Sequence, residues 1–218
     1  MKLGLIGGVS PFAFAEIYCN ICRNYRNIYG EYPEILVYSI KCSKKDEDEY
    51  LYDKEQKSIA IITEIESACR FFSKNGVENV GICCNTLSII FKNIAKKYRF
   101  KKIITPVDAV NNVTKKVQGY FLFATKFTND AKLYGLNVNY LTDENQAIID
   151  KVLSNKISGK KYDSYNILMR VIRTNNIRKI ILGCTDFSED DFRGMNLDIL
   201  NSSKLFVNEC VEVLKCAE

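Results

Sequence analysis

Short β-branched apolar runs alternate with segments of helical periodicity along this 218-residue chain. Such alternation implies βαβ units built around parallel sheets. Two of the runs end alike. Asn79-Val80-Gly81-Ile82-Cys83-Cys84 is followed by Asn85-Thr86-Leu87-Ser88, and Lys179-Ile180-Ile181-Leu182-Gly183-Cys184 by Thr185-Asp186-Phe187-Ser188. Each reads as a buried strand that stops at a thiol before a polar turn. Strand C-termini are where open α/β sheets bind ligands. A pair of thiols so placed suggests proton transfer between two sulfurs with a substrate held between them.

The periodicity predicts a first strand at Leu3 to Ile6. A helix from Pro11 to about Tyr29 follows, capped by Ser10. A second strand spans Ile35 to Ile40, and the charged block from Lys41 to Asp53 reads as a surface loop that could act as a lid. A long helix then starts near Asp53, with Ile59, Ile62, Ile65, Ala68, Cys69 and Phe72 on one face, and ends at Asn75-Gly76. Strands at Val80 to Cys83 and Ile103-Ile104 flank a helix from Leu87 to Tyr98, and a short helix follows Pro106. From Gly119 the pattern restarts, with strands at Tyr120 to Ala124, Val138 to Leu141 and Lys179 to Leu182. Helices are expected near Asn129 to Tyr134, Glu144 to Leu153 and Tyr162 to Thr174, from Ser188, and over Lys204 to Lys215. Two related halves facing each other would put both thiols across one cleft, a common place for a binding site.

Composition removes several kinds of chemistry. The chain has no histidine, so Ser-His-Asp or Cys-His hydrolysis, histidine-held metals and imidazole acid–base catalysis are excluded. The net charge of +5 comes from lysines scattered along the chain, which argues for solvated surface and against a nucleic-acid partner. Nine cysteines without a secretory leader argue for a reducing, cytoplasmic setting. No apolar stretch approaches membrane-spanning length, so no membrane partner is expected.

Four motifs carry a family resemblance: Gly7-Gly8-Val9-Ser10-Pro11, Cys84-Asn85-Thr86, Ala124-Thr125-Lys126-Phe127-Thr128 and Gly183-Cys184-Thr185-Asp186. In their order and spacing the chain resembles the cofactor-independent aspartate/glutamate racemase superfamily, most closely its aspartate racemase branch. The resemblance implies two pseudo-symmetric α/β domains with parallel central sheets and the active site in the cleft between them. The expected division is residues 1–103 plus 204–218 for one domain and 104–203 for the other. It further implies that Cys84 and Cys184 flank the α-carbon of aspartate, with glutamate a second candidate. One acts as thiolate base and the other as thiol acid. Ser10, Asn85, Thr86, Thr125, Lys126, Thr128 and Thr185 are the implied substrate-binding residues, with Lys126 standing in for an arginine that relatives carry after the second strand. No pyridoxal phosphate and no metal are implied, and relatives suggest a homodimer.

The chemistry is coherent. Inverting a stereocentre by proton exchange needs an acid and a base on opposite faces, and two thiols can exchange those roles with direction. Both thiols are expected to precede helix starts, whose N–H dipoles favour a thiolate. Turn N–H groups with Asn85, Thr86 and Thr185 would hold the α-carboxylate as it gains enolate character.

Other signals have plainer readings. Cys83 adjoins Cys84 in a strand and must face the opposite side. Cys19-Asn20-Ile21-Cys22 lies in a helix without a second ligand pair, which favours packing on one helix face over zinc or redox chemistry. The glycines at 4, 7 and 8 do not meet the dinucleotide fingerprint, and a turn in which backbone approaches a small substrate fits better. Asp186 reads as a cap for the following helix. Two other functions stay open: a related isomerase of the hydantoin racemase or maleate isomerase kind, and a non-catalytic thiol or ligand-binding protein that kept the cleft.

Overall fold

The computed structural model describes residues 2–52, 59–114, 118–135, 137–160 and 163–215. Two parallel sheets organise them, as the alternating pattern predicts. The first contains β1 (Leu3–Gly7), β2 (Ile35–Ser39), β3 (Asn79–Cys83) and β4 (Lys102–Ile104), in the order β2-β1-β3-β4. The second contains β5 (Phe121–Phe123), β6 (Lys179–Leu182) and β7 (Asp198–Asn201), in the order β5-β6-β7. β1 and β3 are buried at every position, as parallel strands covered on both faces must be.

Helices supply those covers. On one face of the first sheet, α3 (Ile59–Lys74) and α4 (Ser88–Ala95) bury Ile61, Ile65, Phe72, Phe91 and Ile94 against Ile6, Val80 and Ile82. On the other, α1 (Pro11–Tyr29) and α9 (Ser202–Val213) bury Ile17, Ile21, Phe206 and Val211 against Leu3, Leu5 and Ile104. The C-terminal helix thus returns to the first sheet. The second sheet is covered on one face by α7 (Asp143–Ile157) and α8 (Tyr165–Thr174), through Ile149, Val152, Leu168 and Val171. Its other face carries Val107 and Val110 of α5 (Pro106–Thr114) together with Tyr134 and Val138. Val9, at the end of the β1 turn, packs against the cores of both halves.

Local signals set the element ends. Pro11 opens α1, and Ser10 accepts a hydrogen bond from the Ala13 N–H at 3.4 Å, as expected of a capped start with proline at the first position. Gly30 (φ 78°) and Gly76 (φ 67°) take the left-handed conformation after α1 and α3, a conformation glycine adopts without steric cost.

Four elements differ from expectation; the helix expected near Asn129 to Tyr134 runs instead over Lys126–Asp130. Most of the expected loop is helical: Lys44–Tyr52 is helix α2, which packs against α6 (Lys126–Asp130) of the other half. Its start is a reciprocal cap. The Ser43 N–H donates to Asp46 Oδ2 at 3.1 Å, and the Asp46 N–H donates to Ser43 Oγ at 3.2 Å. Ion pairs Lys44–Asp48 (2.9 Å) and Lys45–Glu49 (3.7 Å), one helical turn apart, add support. The expected strand Val138 to Leu141 reduces to one bridge of Asn139 with Phe121. β7 was not anticipated: four residues at a sheet edge, polar at both ends, leave little pattern to read. The expected helix start near Asp53 and that at Tyr162 lie outside the described residues.

Candidate active site

β3 and β6 end at equivalent points, and each is followed by a thiol. Cys84 and Cys184 are both 8 % exposed. Cys83 faces the α1/α9 core and Cys84 the α3/α4 core, as alternation along a strand requires. The two thiols interact: a charge on Cys84 opposes ionisation of Cys184.

Their surroundings are unequal. Burial pushes the Cys84 thiol up, while backbone N–H groups of Leu87, Val9 and Thr86 draw it down and the Asp186 charge opposes ionisation. α4 begins at Ser88, so the first thiol does precede a helix start. Burial also pushes Cys184 well up, with the Asp186 carboxylate next in weight and one backbone N–H, that of Asp186, acting against them. The Cys184 Sγ donates to Asp186 Oδ2 at 3.7 Å. No α-helix starts behind this thiol; the turn leads to a short 3₁₀ helix, Glu189–Phe192, capped reciprocally by Ser188 and Asp191. The expectation of two helix-lowered thiols is therefore corrected, because desolvation outweighs the dipoles at both. Asp186 is not the helix cap but the neighbour of Cys184.

Around the thiols, polar side chains from both halves meet. Thr86 Oγ1 lies 3.1 Å from Thr125 Oγ1 and 3.3 Å from Thr128 Oγ1, and the latter two are 3.0 Å apart. All three threonines are buried. Asn85 Nδ2 donates to Ser202 Oγ at 3.2 Å, and the Tyr134 hydroxyl donates to Asn85 Oδ1. Of the sequence-derived candidates, the fold brings together Cys84, Cys184, Asn85, Thr86, Thr125 and Thr128. Ser10 is buried nearby at the start of α1, with its oxygen engaged in the cap.

Two further candidates flank this cluster in the chain. The Lys126 ammonium pairs with Asp130 at 3.3 Å, and its backbone N–H donates to Asp150. Thr185 lines a cavity of about 420 Å³ shared with Glu16, Asn20, Glu189 and Lys204, which neither thiol lines. Tyr134 is a site residue the sequence did not signal, and Ser202 is joined to the site by its bond to Asn85. Tyr134 reads as an ordinary helix-end aromatic, and only the fold carries its hydroxyl to Asn85.

The glycine turn is also where two turns meet. A Cβ on Gly8 would lie 2.7 Å from the Cys84 Cβ and 2.8 Å from the Cys83 carbonyl oxygen. What approaches Gly8 is the thiol-bearing turn itself. The Cys19/Cys22 pair also departs from expectation: Cys19 is exposed rather than packed. Among the described residues, eight cysteines are free, no group of three or more potential ligands could hold a metal ion, and no helix is long and apolar enough to cross a membrane.

No protein-family model matches the sequence, and no curated protein matches it either. Solved structures do match in fold. A candidate Asp/Glu racemase from Yersinia pestis superposes with a TM-score of 0.75 at 19% identity, covering 98% of each chain. Picrophilus torridus aspartate racemase gives a TM-score of 0.74 at 17% identity, covering 98% of this chain and 94% of that one. An aspartate racemase homologue from Pyrococcus horikoshii gives 0.69 at 21% identity, covering 98% of both. Over nearly its whole length, the chain has the two-sheet α/β fold of the aspartate/glutamate racemase structures.

Proposed function

We propose that this protein is a cofactor-independent amino-acid racemase that interconverts L- and D-aspartate through Cys84 and Cys184. The observation that carries the reading is the pair of buried thiols that follow β3 and β6, one in each half, with a charge on Cys84 opposing ionisation of Cys184. The fold shared with aspartate racemase structures supports it.

In this reading one thiolate removes the α-proton, and the opposite thiol delivers a proton to the other face. The C–H bond breaks toward one sulfur as an S–H bond forms there; the second S–H then breaks as the new C–H bond forms. Burial keeps both sulfurs as thiols at rest. A substrate α-ammonium entering this dry site would supply the positive charge that favours one thiolate. Thr86, Thr125 and Thr128 would give up their bonds to one another to bind the α-carboxylate, and Asn85 would add an amide N–H, with the turn N–H groups opposing the charge that develops on it. Lys126 would leave Asp130 for the distal carboxylate, and Ser10 and Thr185 would complete the binding set. Asp186 holds the Cys184 proton when that residue is the acid. The reading carries with it a cytoplasmic homodimer that needs neither pyridoxal phosphate nor metal.

The test is α-proton exchange in D₂O, followed by NMR with each enantiomer of aspartate, glutamate and a panel of other amino acids, without added cofactor. Exchange with aspartate is expected. Its absence with every amino acid would sink the racemase reading, and wild-type exchange in both Cys84→Ser and Cys184→Ser would sink the two-thiol mechanism.

A further inference from the structure

Tyr134 is buried in the turn after α6. Its ring lies beside Gly183, the residue before Cys184: a Cβ there would be 3.2 Å from Tyr134 Cε2. Its hydroxyl reaches the other half and donates to Asn85 Oδ1, the residue after Cys84. One phenol therefore spans from the turn of the second thiol to the turn of the first.

The bonds run on from it through the amide. Tyr134 donates to Asn85 Oδ1, and Asn85 Nδ2 donates to Ser202 Oγ at 3.2 Å. A primary amide carries two N–H hydrogens, and the bond to Ser202 uses one. The second, on Asn85 Nδ2, has no partner among the described residues. Tyr134 and Ser202 thus hold the two ends of the amide, one from each side. Chains of hydrogen bonds polarise each member in the same sense.

We propose that Tyr134 is the positioning residue of the site, holding Asn85 so that its one uncommitted amide N–H faces the carboxylate of the bound amino acid. This rests on the racemase reading and names the atom that presents the donor. Tyr134 itself acts only through Asn85. Removing its hydroxyl leaves ring packing against Gly183 intact but frees the amide to turn, so the donor is presented only part of the time.

Tyr134→Phe and Ser202→Ala break the same chain of bonds on either side of Asn85. Each is expected to raise KM for both enantiomers about tenfold or more, the scale of one hydrogen bond to a charged group, with kcat changed far less. Because they disable one unit, the double variant should be no worse than either single. Kinetics within twofold of wild type for Tyr134→Phe, or losses that multiply in the double variant, would overturn the proposal. A second measurement does not depend on turnover. The Asn85 side-chain NH₂ resonances, assigned by their loss in Asn85→Asp, should show two well-separated protons in wild type and converge in Tyr134→Phe. An unchanged pair in a variant with wild-type circular dichroism would overturn the proposal even where aspartate is racemised. Convergence in a protein that racemises nothing would uphold the positioning of Asn85 and remove the racemase reading alone.

Discussion

The Thr86 hydroxyl, on the turn after β3, lies 3.1 Å from the Thr125 hydroxyl, on the turn after β5. The two halves thus meet through groups suited to a carboxylate, and without one those groups satisfy each other. Thr86→Val keeps the shape and removes the link, while the Thr125–Thr128 bond at 3.0 Å remains. A cost of about 1 kcal/mol is expected, the usual net worth of one buried hydrogen bond, read as a lower urea midpoint at unchanged slope. A rise in KM should accompany it. A variant with unaltered stability and KM would remove Thr86 from the site.

Alkaline pH should destabilise the fold. Burial pushes the thiols of Cys83, Cys84, Cys184 and Cys210 above their ordinary value of 9.0, and Cys69 up to about 12. Below the ordinary thiol pKa both folded and unfolded chains are protonated, and the contribution is present in full. As pH rises past that value the unfolded chain loses its protons first, so stability falls toward the folded-state pKa, by about 1.4 kcal/mol per pH unit for each such thiol. Urea midpoints at pH 8 and pH 10 measure the slope. Cys210→Ala should reduce it, and an unchanged slope would mean that this thiol ionises alike in both states.

Asp186 opposes ionisation of both thiols and accepts the Cys184 proton. Asp186→Asn removes the charge at nearly constant volume. The ascending limb of kcat/KM against pH should therefore move to lower pH, while kcat falls in the direction that uses Cys184 as acid. If the limb stays where it is, the carboxylate does not govern the thiols.

Much of this was readable from residue pattern, and the failures have physical causes. β1, α1 and β6 announce themselves through apolar period and through Ser10-Pro11. Cys84 and Cys184 stand out because a strand end followed by a polar turn is a local pattern. α2 was misread because its charged run looks solvated, although Ser43 and Asp46, three residues apart, already spelled its cap. Tyr134 left no local trace, since its partner Asn85 lies 49 residues away along the chain. The ordering of thiol pKa influences was equally hidden: helix starts are visible in sequence, whereas the depth of burial that outweighs them is a property of the packed halves.

That Ser43 cap gives a prediction of its own. Ser43→Ala should cost α2 about 1 kcal/mol, which is about a fivefold shift toward its undocked form. Amide hydrogen exchange over Lys44–Tyr52 should quicken accordingly, and so should that of α6, against which α2 packs. Quickening confined to α2 would show that α6 does not depend on this contact.

Gly8 offers the sharpest test of how the first thiol is placed. A methyl group there would sit 2.7 Å from the Cys84 Cβ and 2.8 Å from the Cys83 carbonyl oxygen, both closer than van der Waals contact allows, and the carbonyl belongs to the backbone at the end of buried strand β3. Neither the strand nor Val9, wedged between the two cores, can yield freely, so the turn carrying Cys84 must shift. Overpacking of this kind costs about 1–3 kcal/mol, which a domain of ordinary stability survives. Misplacement of a reacting group by about 1 Å can cost about a hundredfold in rate. Gly8→Ala should therefore fold, with native circular dichroism and a lowered melting temperature, yet lose exchange at the α-carbon about a hundredfold. Because that placement serves Cys84 and not Cys184, deuterium incorporation should fall first for the enantiomer whose proton Cys84 removes. Equal loss for both enantiomers at wild-type stability would mean that the glycine acts on the substrate rather than on the thiol.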